Sequence, residues 1–336
     1  DEERMEYLPI KTLYLELTHA CNQHCRHCYL DGGSHHKVAE MSTAQIIGIL
    51  EEFKAQGGKY LVLTGGEPFM RKDIFSILDC AERLGLPFNL ASNSLAMNEE
   101  RRTRLAGYRC LDMYFTSILG KDAMLHQAVA GKDSYQKAMD TVAFFDEKGV
   151  NTYVQVTLAR SYVNQIREIA AQLLPYEHCT IKFTPIGNLG IKEETVREQE
   201  RELLVPESAF AAFHGVVEEL QKQYPNRIEN CNIMNHEQIR EMIAEYDDEE
   251  LYALCYGFLA IRPDGAMSFS TNMGNPYTFG WAYEGLQITV ESLKQYIRVL
   301  RKAEQLTLRE AESKIVELDV TVDKYIKMIH DGKIAL

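Results

Sequence analysis

The sequence predicts an α/β protein in which six strand–helix units are followed by a smaller α+β extension. Three observations carry this reading. Short apolar runs of strand character alternate with stretches of helical period from Leu13 to Phe183. Cys21, Cys25 and Cys28 stand immediately after the first of these runs, where a strand gives way to a loop. Beyond Gly190 the alternation stops and a charge-rich stretch begins. Repeated strand–helix units build a parallel sheet with right-handed crossovers, and such sheets carry their sites at the carboxyl ends of the strands. Six units are too few for a closed eightfold barrel.

The elements follow in order. Leu13 to Leu17 alternates apolar and aromatic residues and reads as the first strand. Ser42 to Gln56 places Ile46, Ile47, Ile49, Leu50 and Phe53 at helical spacing, with Ser42 as N-cap and Gly57-Gly58 as terminator. Leu61 to Thr64 is a buried strand, and Ile74 to Gly85 a helix. Phe88 to Leu90 precedes a helix from Asn98 to Leu105, and Met113 to Phe115 precedes one from Tyr135 to Lys148. Tyr153 to Val156 precedes Gln165 to Leu174, and Thr180 to Phe183 is the sixth strand. Thereafter residues 191–204 read as a solvated helix or linker, and Ser208 to Gln223 as an amphipathic helix stopped by Pro225-Asn226. A hairpin is expected around Pro263-Asp264-Gly265 between Ile261 and Phe269, and a helical tail from Val290 to Ile329. The domain boundaries expected are 1–190, a helical linker region 191–250, and an extension 251–336.

Bulk properties exclude several classes. A net charge of -13 without a basic stripe argues against nucleic acid, and no run of some 18 apolar residues suits a membrane span. The acidic first residues lack a signal-peptide core, so a cytoplasmic protein is expected. An acidic surface suits a basic peptide partner, although solubility explains it equally well. Eight cysteines in 336 residues are too dilute for a disulfide scaffold, and their clustering points to a reducing compartment.

The stretch Cys21-Asn22-Gln23-His24-Cys25-Arg26-His27-Cys28 brings three thiols within eight residues, at C-x3-C-x2-C spacing. Thiols this close share a soft metal centre, zinc or an iron-sulfur cluster. A structural zinc site needs a fourth ligand, which here would be His24, His27 or a distant Cys. A cluster held by three cysteines leaves one iron open to an exchangeable ligand, which is a catalytic arrangement.

This triplet, with Tyr29 after it and Gly65-Gly66-Glu67-Pro68 ending the next strand, resembles the radical SAM (S-adenosylmethionine) superfamily. The resemblance covers roughly the first 190 residues. It implies a partial (β/α)6 barrel open on one side, and a 4Fe-4S cluster on Cys21, Cys25 and Cys28 whose fourth iron binds SAM. Reductive cleavage of SAM then yields a 5'-deoxyadenosyl radical that takes a hydrogen atom from substrate. By the same resemblance Gly65, Gly66, Glu67 and Pro68 approach the SAM amino group, glycines letting the backbone come close. Ser92 and Asn93 occupy a Thr-Asn-Gly-like turn, and Ser117 contacts the ribose or methionine end. Gln155, Thr157 and Arg160 lie where the family often places polar or basic residues, a guanidinium suiting the SAM carboxylate. The run from Phe183 to Gly187 meets adenine, as Tyr29 could.

Cys255, Gly265 and Ser270 resemble the start of the SPASM or twitch extension of peptide-modifying members, with Ser270 in place of the second Cys of C-x9-G-x4-C. Phe279-Gly280 and Glu284-Gly285-Leu286 echo its exit. The remaining thiols are too few for standard auxiliary clusters. Cys80 and Cys110 read as core and Cys179 opens the sixth strand, whereas Cys231 and Cys255 are candidate catalytic hydrogen donors or ligands of an unusual cluster, with inert buried thiols as the alternative. His24, His27, His35 and His36 read as solvent-facing, and Phe144-Phe145 as core.

The expectation is a radical SAM enzyme acting on a ribosomally made peptide, by crosslinking, epimerisation or a related modification. A reductant such as flavodoxin or ferredoxin is implied. The short segment before the first strand leaves no room there for a peptide-recognition domain, which weighs against that substrate. Two alternatives stay open: a small-molecule substrate such as a sugar, nucleoside or tetrapyrrole precursor, and a cluster- and SAM-binding module without turnover.

Overall fold

The computed structural model describes residues 7–28, 30, 39–160, 165–187, 201–230, 233–245, 257–269, 278–314 and 316–336. All six expected strands form. They are β1 (Thr12–Glu16), β2 (Tyr60–Thr64), β3 (Phe88–Ala91), β4 (Leu111–Ile118), β5 (Asn151–Leu158) and β6 (Cys179–Pro185). Each pairs in parallel with the next, for example Leu13 with Leu61 and Gln155 with Lys182. Between them run α1 (Thr43–Ala55), α2 (Ile74–Leu84), α3 (Glu99–Ala106), α4 (Ala123–Ala130), α5 (Tyr135–Glu147) and α6 (Ile166–Leu173).

Local chemistry explains the helix ends. Ser42 and Gln45 form a capping box at α1, and the Asn98 side chain accepts the Arg101 N–H at α3. Gly85 ends α2 in the left-handed conformation. Strand alternation buries one face against the helices, with Leu13, Leu15, Leu61 and Leu63 packing with Ile49, Phe53 and Ile77. On β5 and β6, Val154, Val156, Ile181 and Phe183 meet Ile169 of α6. The opposite strand face carries the half-buried Tyr14, Phe115, Tyr153 and Gln155.

The extension adds strands to the main sheet. The expected hairpin is present as β9 (Phe258–Ile261) and β10 (Ala266–Ser268), but β9 pairs in parallel with β1. With β7 (Ile228–Asn230) beside β6 and β11 (Gly280–Trp281) beside β10, the result is one open ten-stranded sheet of order β11-β10-β9-β1-β2-β3-β4-β5-β6-β7. The helix expected over 208–223 is α7 (Phe210–Gln223), and α8 (His236–Glu245) follows β8 (Ile233–Met234). The helical tail is two helices, α9 (Val290–Ala311) and α10 (Leu318–His330). Between them β12 (Val316–Glu317) pairs with β8, a tertiary contact that helical periodicity does not encode. Residues 201–204 form a turn; the rest of the charge-rich linker, and the boundary near residue 250, lie outside the described residues.

The ends of β1 and β2 are joined backbone to backbone. Gly66 N–H donates to Thr18 O at 2.7 Å, and Glu67 N–H to Ala20 O at 2.8 Å. A Cβ on Gly65, which has φ +146°, would lie 2.5 Å from Thr18 O; one on Gly66 would lie 2.5 Å from Ala20 O. Gly66→Ala is therefore expected to cost about 1–3 kcal/mol in urea unfolding of the metal-free protein. Gly215→Ala in α7, where a Cβ meets nothing within 4 Å, should be neutral or stabilising by about 0.5–1 kcal/mol. Equal effects of the two substitutions would contradict the docking contact.

Candidate cluster and cofactor site

The cysteine loop is held from two sides. On the β2 side, besides the Gly-Gly contact, Arg71 donates to Leu17 O at 3.1 Å and Met41 O at 3.2 Å. Its guanidinium also forks onto Asp73 at 2.7 and 2.9 Å, which fixes its plane. On the other side His24 N–H and Arg26 N–H donate to Ala130 O and Val129 O, at the end of α4. That helix is absent from the sequence reading, although Asp122 caps its start and Gly131 ends it in the left-handed conformation. A Cβ on Gly131 would come within 3.0 Å of His24 O, so this glycine too serves a close approach to the loop.

The loop and four strand ends enclose one cavity of about 400 Å³. Cys21, Cys25 and Cys28 line it together with Gly65, Gly66, Ser92, Asn93, Ser117 and Gln155. Residues separated by up to about 130 positions thus meet at the carboxyl ends of β1 to β5, where a parallel sheet places its sites. Among the described residues no three His, Cys, Asp or Glu side chains converge as a single metal ion requires. The three thiols instead share the wall of one cavity, an arrangement that fits a larger polynuclear cluster better than the zinc alternative.

Hydrogen bonds already reach the sulfurs. Gln23 N–H lies 3.4 Å from Cys21 Sγ and Asn93 Nδ2 3.5 Å from it. Burial pushes the Cys21 thiol up, and these two donors oppose that shift. Asn93 is held in turn: its N–H donates to Glu67 Oε2 at 2.7 Å and its Nδ2 to Asn22 Oδ1 at 2.8 Å.

Glu67 is expected from the sequence at the SAM amino group. Its carboxylate is fully buried and turned the other way, accepting from Phe69 N–H, Ser92 Oγ–H and Asn93 N–H. Burial pushes it up to about 7 against those donors. The side chain joins the ends of β2 and β3, because three donors converge on it there. Neither it nor Pro68, Thr157 or Arg160 lines the cavity; Pro68 is buried under the β2 turn, and Arg160 is exposed, with its N–H on Leu203 O. Tyr29, Cys231, Cys255 and Ser270, together with His35 and His36, lie outside the described residues. Where the resemblance has glycine, Ser94 takes φ +63° and is held by Tyr114 and Thr116 hydroxyls, each 2.8 Å away.

Several lining residues escape the sequence reading. His27, read as solvent-facing, is half-buried and lines the cavity, as do His19, Gln23, Phe115 and His126. His19 Nε2 is 3.0 Å from the buried Glu16 Oε2, and its buried Nδ1 has no hydrogen-bond partner among the described residues. The i, i+3 spacing of Glu16 and His19 is visible in sequence; nothing there marks His126, which arrives from α4. Cys80, read as core, is buried; Cys110, read likewise, is half-buried, and Cys179 at the start of β6 is buried.

Burial lowers His126 to about 4, opposed in part by the charge of Asp133. The unfolded imidazole titrates near 6.5. Stability tied to neutral His126 is thus fully present above pH 6.5 and lost as pH falls towards 4, about 3 kcal/mol in all. Urea unfolding of the metal-free protein over this range should show that loss, and His126→Gln should flatten it. An unchanged slope in the variant would assign the proton uptake to another group.

Residues 15–173 match the model of the radical SAM superfamily. Mycofactocin maturase MftC of Mycobacterium ulcerans is 31% identical over 176 residues, covering 52% of this chain and 47% of that protein. AdoMet-dependent heme synthase of Nitratidesulfovibrio vulgaris is 25% identical over 163 residues, covering 47% and 43%. The chain thus spans about half the length of the curated relatives it matches. Among solved structures, SuiB of Streptococcus suis bound to precursor peptide SuiA superposes with TM-score 0.65 at 15% identity, covering 83% of this chain and 64% of that one. Native anSMEcpe with bound AdoMet and Cp18Cys peptide gives 0.65 at 12%, covering 96% and 98%. These likenesses share the α/β fold of parallel strands and crossover helices. With three cysteines at C-x3-C-x2-C spacing opening onto the strand-end cavity, residues 15–173 belong to the radical SAM superfamily, whose members work with a 4Fe-4S cluster and SAM.

Proposed function

We propose that the chain is a radical SAM enzyme that modifies a peptide. The observation that carries this is the single cavity in which the three loop thiols face the polar ends of β2 to β5. In this reading Cys21, Cys25 and Cys28 would hold a 4Fe-4S cluster. The cluster and SAM together supply reductive SAM cleavage and the 5'-deoxyadenosyl radical.

The chain's residues bind, orient and exclude. Gly65 and Gly66 bring bare backbone to the cavity wall, where no side chain intervenes before the Thr18–Ala20 strand end. Ser92, Asn93, Ser117 and Gln155 offer hydroxyl and amide groups to the amino acid and ribose parts of SAM. Gln155 is oriented by its Nε2, which donates to Thr184 Oγ1 at 2.8 Å, leaving its oxygen as acceptor. Phe115 and Leu119 supply apolar wall that keeps water from the reacting centre. Behind that wall the Tyr153 ring packs on Phe115 with centroids 4.6 Å apart, which holds the Phe115 ring in place.

Relatives named as peptide maturases favour a peptide, including sporulation killing factor maturation protein SkfB of Bacillus subtilis and PqqA peptide cyclase of Streptomyces rochei. Similarity to AdoMet-dependent heme synthase keeps a tetrapyrrole-like small molecule as the second reading. A low-potential donor such as flavodoxin or ferredoxin is the reductant class proposed.

The test is anaerobic reconstitution with iron and sulfide, reduction with dithionite, and quantitation of 5'-deoxyadenosine from added SAM. About four irons per chain are expected, lost when Cys21, Cys25 and Cys28 are all replaced by Ala. Iron persisting in that variant would locate a cluster elsewhere, and a cluster without SAM cleavage would reduce the protein to a binding module. Hydrogen loss from short peptides encoded beside the gene, and none from tetrapyrroles, would support the peptide reading over its rival.

A further inference from the structure

Gln23 sits between two of the cysteines and is only 3% exposed. Its backbone N–H points at Cys21 Sγ, while its side chain spans the gap from Cys25 to a buried pair behind the loop. Its Oε1 lies 3.3 Å from Cys25 Sγ and its Nε2 2.5 Å from Ser134 Oγ. Ser134 Oγ is 2.7 Å from His126 Nε2, and His126 Nδ1 accepts Leu119 N–H at 3.1 Å. Ser134 and His126 are each 1% exposed.

Proton accounting along this row depends on the state of Cys25. The Leu119 N–H is a fixed donor, so His126 Nδ1 is an acceptor and Nε2 carries the proton towards Ser134 Oγ. With Cys25 as a thiol, S–H donates to Gln23 Oε1, and Gln23 Nε2 also donates to Ser134 Oγ. Two donors then meet at that oxygen, and neither neighbour accepts the serine's own proton. A cysteine that holds a cluster is a thiolate with no proton to give, and facing an amide oxygen at 3.3 Å it would be repelled. A half-turn of the Gln23 amide exchanges N and O in place and resolves both conflicts. Every member then donates once, in sequence: Leu119 N–H to His126, His126 Nε2–H to Ser134, Ser134 Oγ–H to Gln23 Oε1, and Gln23 Nε2–H to Cys25 Sγ.

We propose that Gln23 is a positioning residue for the cluster, its amide nitrogen donating to cluster-bound Cys25 Sγ and its orientation set by Ser134 and His126. This rests on the proposed role of Cys25 as a cluster ligand. An N–H donor on a ligand sulfur stabilises the more negative, reduced cluster and so raises its reduction potential.

The experiment is an EPR-monitored redox titration of the reconstituted protein. Gln23→Met, of similar length without a donor, should lower the reduction equilibrium about tenfold, ~59 mV for one electron. Ser134→Ala, which touches no cysteine, should shift it in the same direction by a smaller factor. Independently, pulsed EPR of the wild-type reduced cluster, with glutamine side chains labelled with nitrogen-15, should show a nitrogen coupling that Gln23→Met removes. Potentials matching wild type in both variants at full iron content, or no such coupling in the wild type, would overturn the relay while leaving the cluster intact. Failure of the wild-type protein to form a four-iron cluster would overturn the cluster reading together with it.

Discussion

The backbone contact between Gly65–Glu67 and Thr18–Ala20 is the constraint on which the site depends. Two neighbouring strand ends approach so closely that carbonyl oxygens occupy the space where Cβ atoms would be. The approach sets the exit direction of β1, and therefore where the loop presents its thiols. From the same turn Glu67 reaches across to Ser92 and Asn93, and Asn93 reaches back to Cys21. Three strands are thereby tied to one sulfur through buried hydrogen bonds. Such a network is rigid only when every member is satisfied, which the three donors on Glu67 accomplish.

The far side of the loop is built differently. Cys25 packs beside Leu119, Val129, Ile186 and Leu203, an apolar setting in which polar contacts are few and each weighs more. The loop rests there on the end of α4, through His24 and Arg26 N–H, and on Gln23, whose side chain enters the gap behind it. Cys21 thus lies among strand-end amides, and Cys25 against a helix end and its buried serine and histidine. These two thiols are chemically inequivalent before any cofactor is considered.

The C-terminal hairpin bears on the same strand. Because β9 hydrogen-bonds along β1, the strand that launches the cysteine loop is interior to the sheet. An interior strand cannot slip or fray as an edge strand does. The extension thereby contributes to the geometry of the site without placing any described residue in the cavity wall.

Much of this was legible in the sequence because it rests on local rules. Strand period, the Ser42 cap and the C-x3-C-x2-C spacing each depend on residues a few positions apart, and the strands and the capped helix form as those rules expect. Tertiary structure decided what depends on distant neighbours. It turned the Glu67 carboxylate away from the cavity, since Ser92 and Asn93 arrive from another strand with the donors that a buried carboxylate needs. It brought in α4, and with it His126 and the approach at Gly131. It broke the long tail at Val316 by pairing that residue with Met234. By itself the sequence determined the six parallel strands and the residues able to bind metal; which polar groups face those residues was decided by packing, because a buried donor goes to the acceptor that folding brings within reach.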